Sequence, residues 1–310
     1  MDQTTKDYSL EEQSVFASSY EATDSSTRML DKILRYTGLG YPVHLRGPSG
    51  VGKTATAIEA ARRIGRPVSF ISGSADHSPE SLIGTSAGVQ RRSTVDRYIT
   101  SVRKTSSEER DLWIDESLTT ACSEGHTMIY DEFHRSPAEA TSPLLSVLQE
   151  RVLVMPNKAH GTPVMPVHPD FRLILTSNTR DELAAGHILD AVMDRLVTLD
   201  MVHPDAASEI RILTGTTGID ARGAEQIISI VRDLRQHKKC AHPPSLRAAQ
   251  MVARAVVSFN LQISPEEPEF VEVCEDVLGS KLNLPAQDPT QKTQEILRVL
   301  GTPKARAVSG

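Results

Sequence analysis

The feature that most constrains this chain is one octapeptide, Gly47-Pro48-Ser49-Gly50-Val51-Gly52-Lys53-Thr54, set between an apolar strand and a helix. The strand is Pro42-Val43-His44-Leu45, and the helix runs from Ala55 to Arg63. Glycines at these spacings let the backbone curl so that successive N–H groups converge on one anionic point, the β-phosphate of a nucleotide. Lys53 is expected to reach the β- and γ-phosphates, and the Thr54 hydroxyl to hold Mg²⁺. From average residue usage, a pattern this long arises by chance in roughly one chain in a hundred of this size. The octapeptide, Gly47 through Thr54, is therefore read as a binding loop for ATP with its Mg²⁺.

A second motif supplies the acids. Met128-Ile129-Tyr130-Asp131-Glu132 is an apolar strand ending in two carboxylates, which point to opposite sides of the chain. Asp131 is placed to hold the metal shell, and Glu132 to polarise the water that attacks the γ-phosphate. Thr176-Ser177-Asn178 ends the next apolar strand, where Asn178 can hydrogen-bond that water or the γ-phosphate. Asp194-Arg195 closes a short helix after it. Arg195 is read either as an arginine finger acting across a subunit boundary or as a surface residue paired with Asp194 or Asp190. Arg247, in Pro244-Ser245-Leu246-Arg247, opens a later helix and can reach the γ-phosphate; Arg254 on the same helix is its competitor.

Strands alternating with helices through about residue 200 predict a mostly parallel sheet covered by helices. Strands are expected at 42–45, 67–71, 127–130, 172–176 and 197–200, with a hairpin from Val152–Met155 and Pro163–Val167. Ser136-Pro137-Ala138-Glu139 reads as a capping box that opens a helix running to Glu150 and bent at Pro143. Residues 73–125 carry a helical stretch near Val95–Val102. After 206 the strand pattern stops, and helices are expected at 206–214, 222–236, 244–260 and 266–280, the last opened by a second box at Ser264-Pro265-Glu266-Glu267. The expected organisation is a loose tail (1–25), a nucleotide-binding domain (26–203), a helical lid (204–280) and a polar tail (281–310). The knot Ile296-Leu297-Val299-Leu300 is either a docking point or a packed terminal helix.

Several function classes are disfavoured. The net charge of −6 over 310 residues argues against a nucleic-acid binder, which usually carries a basic face. Three separated cysteines form no CxxC pair, so neither a disulfide framework nor a zinc site is expected. The ten histidines show no ligand spacing, and His126, His134, His160 and His168 read as loop or strand-edge residues. No basic-then-apolar leader and no apolar run of about 18 residues is seen, so a cytoplasmic protein without a membrane span is expected.

The order of these motifs resembles the AAA+ ATPases, and specifically their MoxR-like branch. The segments YPVHLRGPSGVGKT, TMIYDEFHRSPAEATSPLLSVLQERVLVMP, VHPDFRLILTSN and DAVMDRL are similar to the GvpN family of gas vesicle proteins. The likeness spans roughly residues 27 to 260 and is densest from 127 to 199. It implies a P-loop AAA+ αβα sandwich on a five-stranded sheet, an inserted hairpin within 73–125, and a small helical lid. It also implies a ring homo-oligomer, a hexamer, with ATP at subunit interfaces. The implied role is ATP-driven assembly of gas vesicles, with shell or accessory proteins as partners and no nucleic acid. Where many relatives have Asn-Pro-Glu-Glu-Tyr, this chain has Asn178-Thr179-Arg180-Asp181-Glu182-Leu183. A MoxR-type chaperone maturing an unrelated complex is the alternative within the same chemistry. A nucleotide-gated structural protein that barely hydrolyses ATP is disfavoured by Glu132 and Asn178.

Overall fold

A computed structural model of the chain describes residues 7–8, 20–97, 103–155, 164–178, 188–283, 293–294 and 296–298. The chain divides into two units: Met1–Tyr20, Arg28–Pro48 and Lys53–Met201 form the first, and Glu21–Thr27, Ser49–Gly52 and Val202–Gly310 the second.

The first unit is built on strands β1 (Asp7–Tyr8), β2 (Val43–Gly47), β3 (Val68–Ser72), β6 (Thr127–Asp131), β9 (Arg172–Asn178) and β10 (Val197–Asp200). They form one sheet in the order β1-β3-β6-β9-β2-β10, parallel throughout except for the antiparallel edge pair β1–β3. The central strands β6 and β9 are buried along nearly their whole length. That continuous burial is what a parallel strand covered on both faces requires. The helices of this part are α1 (Asp24–Gly38, from Arg28 on), α2 (Lys53–Ile64), α3 (Pro79–Ile83), α4 (Ser117–Glu124), α5 (Ala138–Thr141), α6 (Pro143–Gln149) and α7 (Ile188–Met193). One core gathers Met128, Tyr130, Leu173 and Leu175 from the sheet with Leu82, Leu118, Phe133 and Leu144 from the covering segments.

Four expectations need correction here. Asp7–Tyr8, inside the segment read as a loose tail, pairs with Ser69 and Val68 as an edge strand. Val95–Arg97, expected to be helical, belong to β4 (Gly84–Arg97), which pairs antiparallel with β5 (Arg103–Asp115); residues 98–102 lie outside the described residues. The helix expected from Ser136 to Glu150 is broken into α5 and α6, because Pro143 has no N–H to continue the ladder and instead begins a new helix. Ser136 does not cap it; its hydroxyl accepts from Tyr130 Oη at 2.7 Å and from Ser74 N at 3.2 Å. The hairpin β7 (Val152–Val154) with β8 (Val164–Pro166) forms as read.

The second unit is helical where described beyond Met201. α8 (Ala206–Thr217), α9 (Ala221–Gln236), α10 (Leu246–Phe259) and α11 (Pro268–Leu278) enclose a core of Leu213, Ile227, Val231, Val252 and Phe270. Asp205 and Asp220 cap α8 and α9 by accepting from Ser208 N and Gly223 N, each at 2.8 Å. The box expected at Ser264 does not open α11, which starts at Pro268; the Ser264 hydroxyl bonds the Glu266 carboxylate instead. Within the segment read as a polar tail, Leu282 is buried and Ile296 packs into this core. Of the terminal knot, Ile296 is packed; Val299 and Leu300 lie outside the described residues.

Candidate functional site

In a parallel sheet, ligands bind beyond the carboxyl ends of strands, where the chain order reverses and neighbouring loops diverge. Strand β2 lies between β9 and β10, while the chain leaving it crosses to β3 beyond β9 and β6. Gly47 at the end of β2 pairs in register with Asn178 at the end of β9, and Asp131 ends β6 on the same edge. The fold therefore brings three of the sequence-assigned positions to one place.

The binding loop starts where β2 ends. A Cβ on Gly47 would lie 2.3 Å from the Met201 carbonyl oxygen, so no larger residue fits. Gly50 and Gly52 take φ values of +75° and +93°, which side chains rarely tolerate. In the second unit, which contains Ser49–Gly52, a Cβ on Gly50 would meet that of Ser245 at 2.2 Å. Lys53 opens α2 and is 9% exposed, and its Nζ donates to the carbonyls of Gly47 and Pro48 at 2.9 Å each. A buried cation at a helix N-terminus, beside glycines in these conformations, suits a polyanion.

Beside it, the two acids occupy different surroundings. Asp131 Oδ1 accepts from Thr54 Oγ1 at 2.8 Å and from Thr176 Oγ1 at 2.6 Å. Two donors on Oδ1 leave Oδ2 for the water shell of a metal. A threonine hydroxyl beside a carboxylate is a hard-oxygen set that fits Mg²⁺. Among the described residues, no group of three or more His, Cys, Asp or Glu could hold a metal alone. Glu132 lies just past the end of β6, where strand alternation no longer applies, and Arg135 Nε meets its Oε2 at 2.7 Å. Glu132 also adopts φ 49°, ψ 39°, the left-handed region that non-glycine residues avoid. On the other side of this turn, Gly73 N donates to the Asp131 carbonyl at 2.7 Å, and a Cβ on Gly73 would strike the Glu132 oxygen at 2.2 Å.

Further side chains around the turn carry no sequence motif. The Tyr130 hydroxyl donates to Ser136, and burial pushes its phenol pKa up. His77 Nδ1 lies 3.2 Å from the same serine oxygen, and burial lowers its pKa against the opposing pull of Asp76. His44 is fully buried on β2, its ring 2.7 Å from Ser177 Oγ and 3.2 Å from Thr198 Oγ1, with its edge toward Phe133. It ties β2 to both neighbouring strands. His126 and His134, read as loop or strand-edge residues, are also buried. Hydrophobicity alone gives no reason to bury a histidine; the satisfied ring nitrogens of His44 do.

Arg195 follows α7. Its guanidinium donates to the Ala191 carbonyl at 2.5 Å and to Gln149 Oε1 at 2.8 Å, so Gln149, rather than the neighbouring Asp194, is its side-chain partner here. Arg247 stands exposed in the first turn of α10, in the second unit.

Residues 42–196 match the AAA domain of the dynein-related subfamily. The gas vesicle ATPase GvpN of Ancylobacter aquaticus is 37% identical over 265 residues, covering 86% of this chain and 74% of that protein. This chain belongs to the GvpN family of AAA+ ATPases. The Haloferax mediterranei GvpN is likewise 37% identical, over 84% of this chain and 74% of its own. The MoxR-like protein CbbQ of Hydrogenophilus thermoluteolus is 24% identical over 63% of this chain and 67% of its own. Among solved structures, the Thermotoga maritima RuvB branch migration motor shares the fold, with a TM-score of 0.50 at 15% identity over 86% of this chain and 72% of that one. The GvpN-family chain is thus an ATP hydrolase linked to gas vesicles, on a five-stranded parallel core with a helical C-terminal lid. No helix among its described residues is long and apolar enough to cross a membrane.

Proposed function

We propose that this GvpN-family ATPase uses ATP hydrolysis to drive gas vesicle assembly, acting on vesicle shell or accessory proteins as a ring of identical subunits, a hexamer. The observation that carries the chemistry is the different partners of the adjacent acids: Asp131 accepts from Thr54, and Glu132, on a strained turn, pairs with Arg135. In this reading residues 26–203 bind and hydrolyse the nucleotide and 204–280 act as the lid. The backbone of Gly47–Gly52 and the Lys53 ammonium hold the phosphates. Thr54 and Asp131 hold Mg²⁺, which when bound neutralises charge on the phosphate oxygens. Glu132 takes the proton of the attacking water, using Oε1 while Arg135 occupies Oε2, and Asn178 orients that water. Arg195 completes the site of a neighbouring subunit, and Arg247 couples phosphate loss to the lid. A charge-assisted pair such as Arg135–Glu132 fixes the base in direction, which is what positioning contributes to rate.

The association with gas vesicles rests on the relatives named gas vesicle ATPases, at 37% identity over most of the chain. Its test is pressure-sensitive turbidity of cells carrying a full gas-vesicle gene set, with this chain intact or as Lys53→Ala. Loss of the collapsible signal, with the protein still made, is expected. An unchanged signal would reject the vesicle role and favour a MoxR-type chaperone with another client.

A further inference from the structure

Thr176 received no role from its sequence, where Asn178 carries the signal of the Thr-Ser-Asn run. Its side chain nevertheless joins both acids to the sensing strand. Thr176 is fully buried in β9, and its Oγ1 lies 2.6 Å from Asp131 Oδ1 and 2.9 Å from Glu132 N. Both partners are fixed in kind. A carboxylate only accepts and a backbone N–H only donates, so the hydroxyl must give its single proton to Asp131 and accept from Glu132. A hydroxyl that accepts and donates at once is polarised in both directions, which strengthens each bond.

The place of this bond in the sheet explains its need. The β6–β9 ladder runs in register from Thr127↔Arg172 to Tyr130↔Leu175. Past that last pair, the Glu132 N–H donates to the Thr176 hydroxyl at 2.9 Å instead of to a ladder carbonyl. The Thr176 side chain supplies the acceptor that the ladder has lost. One hydroxyl thereby sets the rotation of the Asp131 carboxylate and the backbone that carries Glu132, two residues before Asn178 on the same strand.

We propose that Thr176 is a positioning residue for ATP hydrolysis: it orients the metal-holding Asp131 and the base Glu132 together and ties both to the strand ending in Asn178. This rests on the roles given above to Asp131 and Glu132. Serine at 176 preserves the hydroxyl, whereas valine preserves the shape and removes both bonds.

The experiment is steady-state phosphate release by the full chain as wild type, Thr176→Val, Thr176→Ser and Glu132→Gln, each titrated with Mg²⁺ and with ATP. By analogy with the partners that orient metal ligands, Thr176→Val should lower kcat by about 10–100-fold and raise the Mg²⁺ needed for half-maximal rate. Binding of ATP in the presence of EDTA should be unchanged, because the Thr176 hydroxyl bonds Asp131 and Glu132 and not the loop. Thr176→Ser should recover most of the rate. If the valine chain does not fold, Thr176→Ala should show the same split between kcat and Mg²⁺ demand. Normal kcat and Mg²⁺ demand in Thr176→Val would overturn the proposal. So would equal impairment of the serine and valine chains, since the methyl group and not the hydroxyl would then matter. Turnover retained by Glu132→Gln would instead remove the base reading on which the proposal rests, a result separate from either.

Discussion

Both units bury charge, and they do so for opposite ends. In the helical unit Glu209 is fully buried and accepts from Arg232 at 2.9 Å and Arg235 at 2.6 Å, while Arg235 Nε also donates to the Pro244 carbonyl. Every oxygen of that carboxylate is answered by the chain itself. At the carboxyl edge of the sheet, the two threonine hydroxyls that Asp131 accepts both fall on Oδ1, and Lys53, 9% exposed, donates to the carbonyls of Gly47 and Pro48. Charge closed on itself holds a structure together. Charge left partly open invites a ligand that completes it.

Substitutions at the two places should therefore separate function from stability. The largest effect is expected at Arg195, where an arginine finger is worth roughly 10³-fold or more in turnover. Arg195→Ala should lose that activity with its melting temperature nearly unchanged, and mixing it with Glu132→Gln should restore some turnover. An absence of rescue would count against a shared interfacial site. In the helical unit the order reverses. Glu209→Ala leaves two arginines facing each other and should cost about 3–5 kcal/mol of stability, seen by urea unfolding. Turnover at low temperature should fall only as far as folded protein is lost. Unfolding at the wild-type urea concentration would break the comparison.

How much of this was legible beforehand depended on sequence distance and on periodicity. The loop Gly47–Thr54 and the pair Asp131-Glu132 are local patterns, and the strands ending in them are buried on both faces, so short apolar runs marked them. Thr176 was missed because its partners are 45 and 44 residues away, and threonine in a strand is read as a β former before it is read as a donor. Among the described residues the ribbon β4–β5 pairs with no other strand, and its sequence puts charge and hydroxyl residues at both alternate positions, so no period of two betrayed it. Ser136 matched a helix-start pattern, yet Tyr130, six residues earlier, took its hydroxyl.

Smaller effects sharpen the contrast. Ile296→Ala should cost about 2–5 kcal/mol, because the side chain packs into the helical core. A change near zero would return the C-terminal segment to a dispensable tail. The thiols of Cys122 and Cys274 are pushed by burial from 9.0 up to about 12, so each stays protonated in the folded chain at neutral pH. Both should resist alkylation at pH 8 until denaturant is added. A raised thiol pKa also means that unfolding releases these protons first, so stability should fall as pH rises from about 9 toward 12.

The most direct measurement is phosphate release by the full-length Glu132→Gln chain, with ATP binding followed on the same sample. Binding at wild-type affinity with turnover reduced to background is the predicted result. Turnover near the wild-type rate would contradict the account, because the carboxylate facing Arg135 would then not be the base.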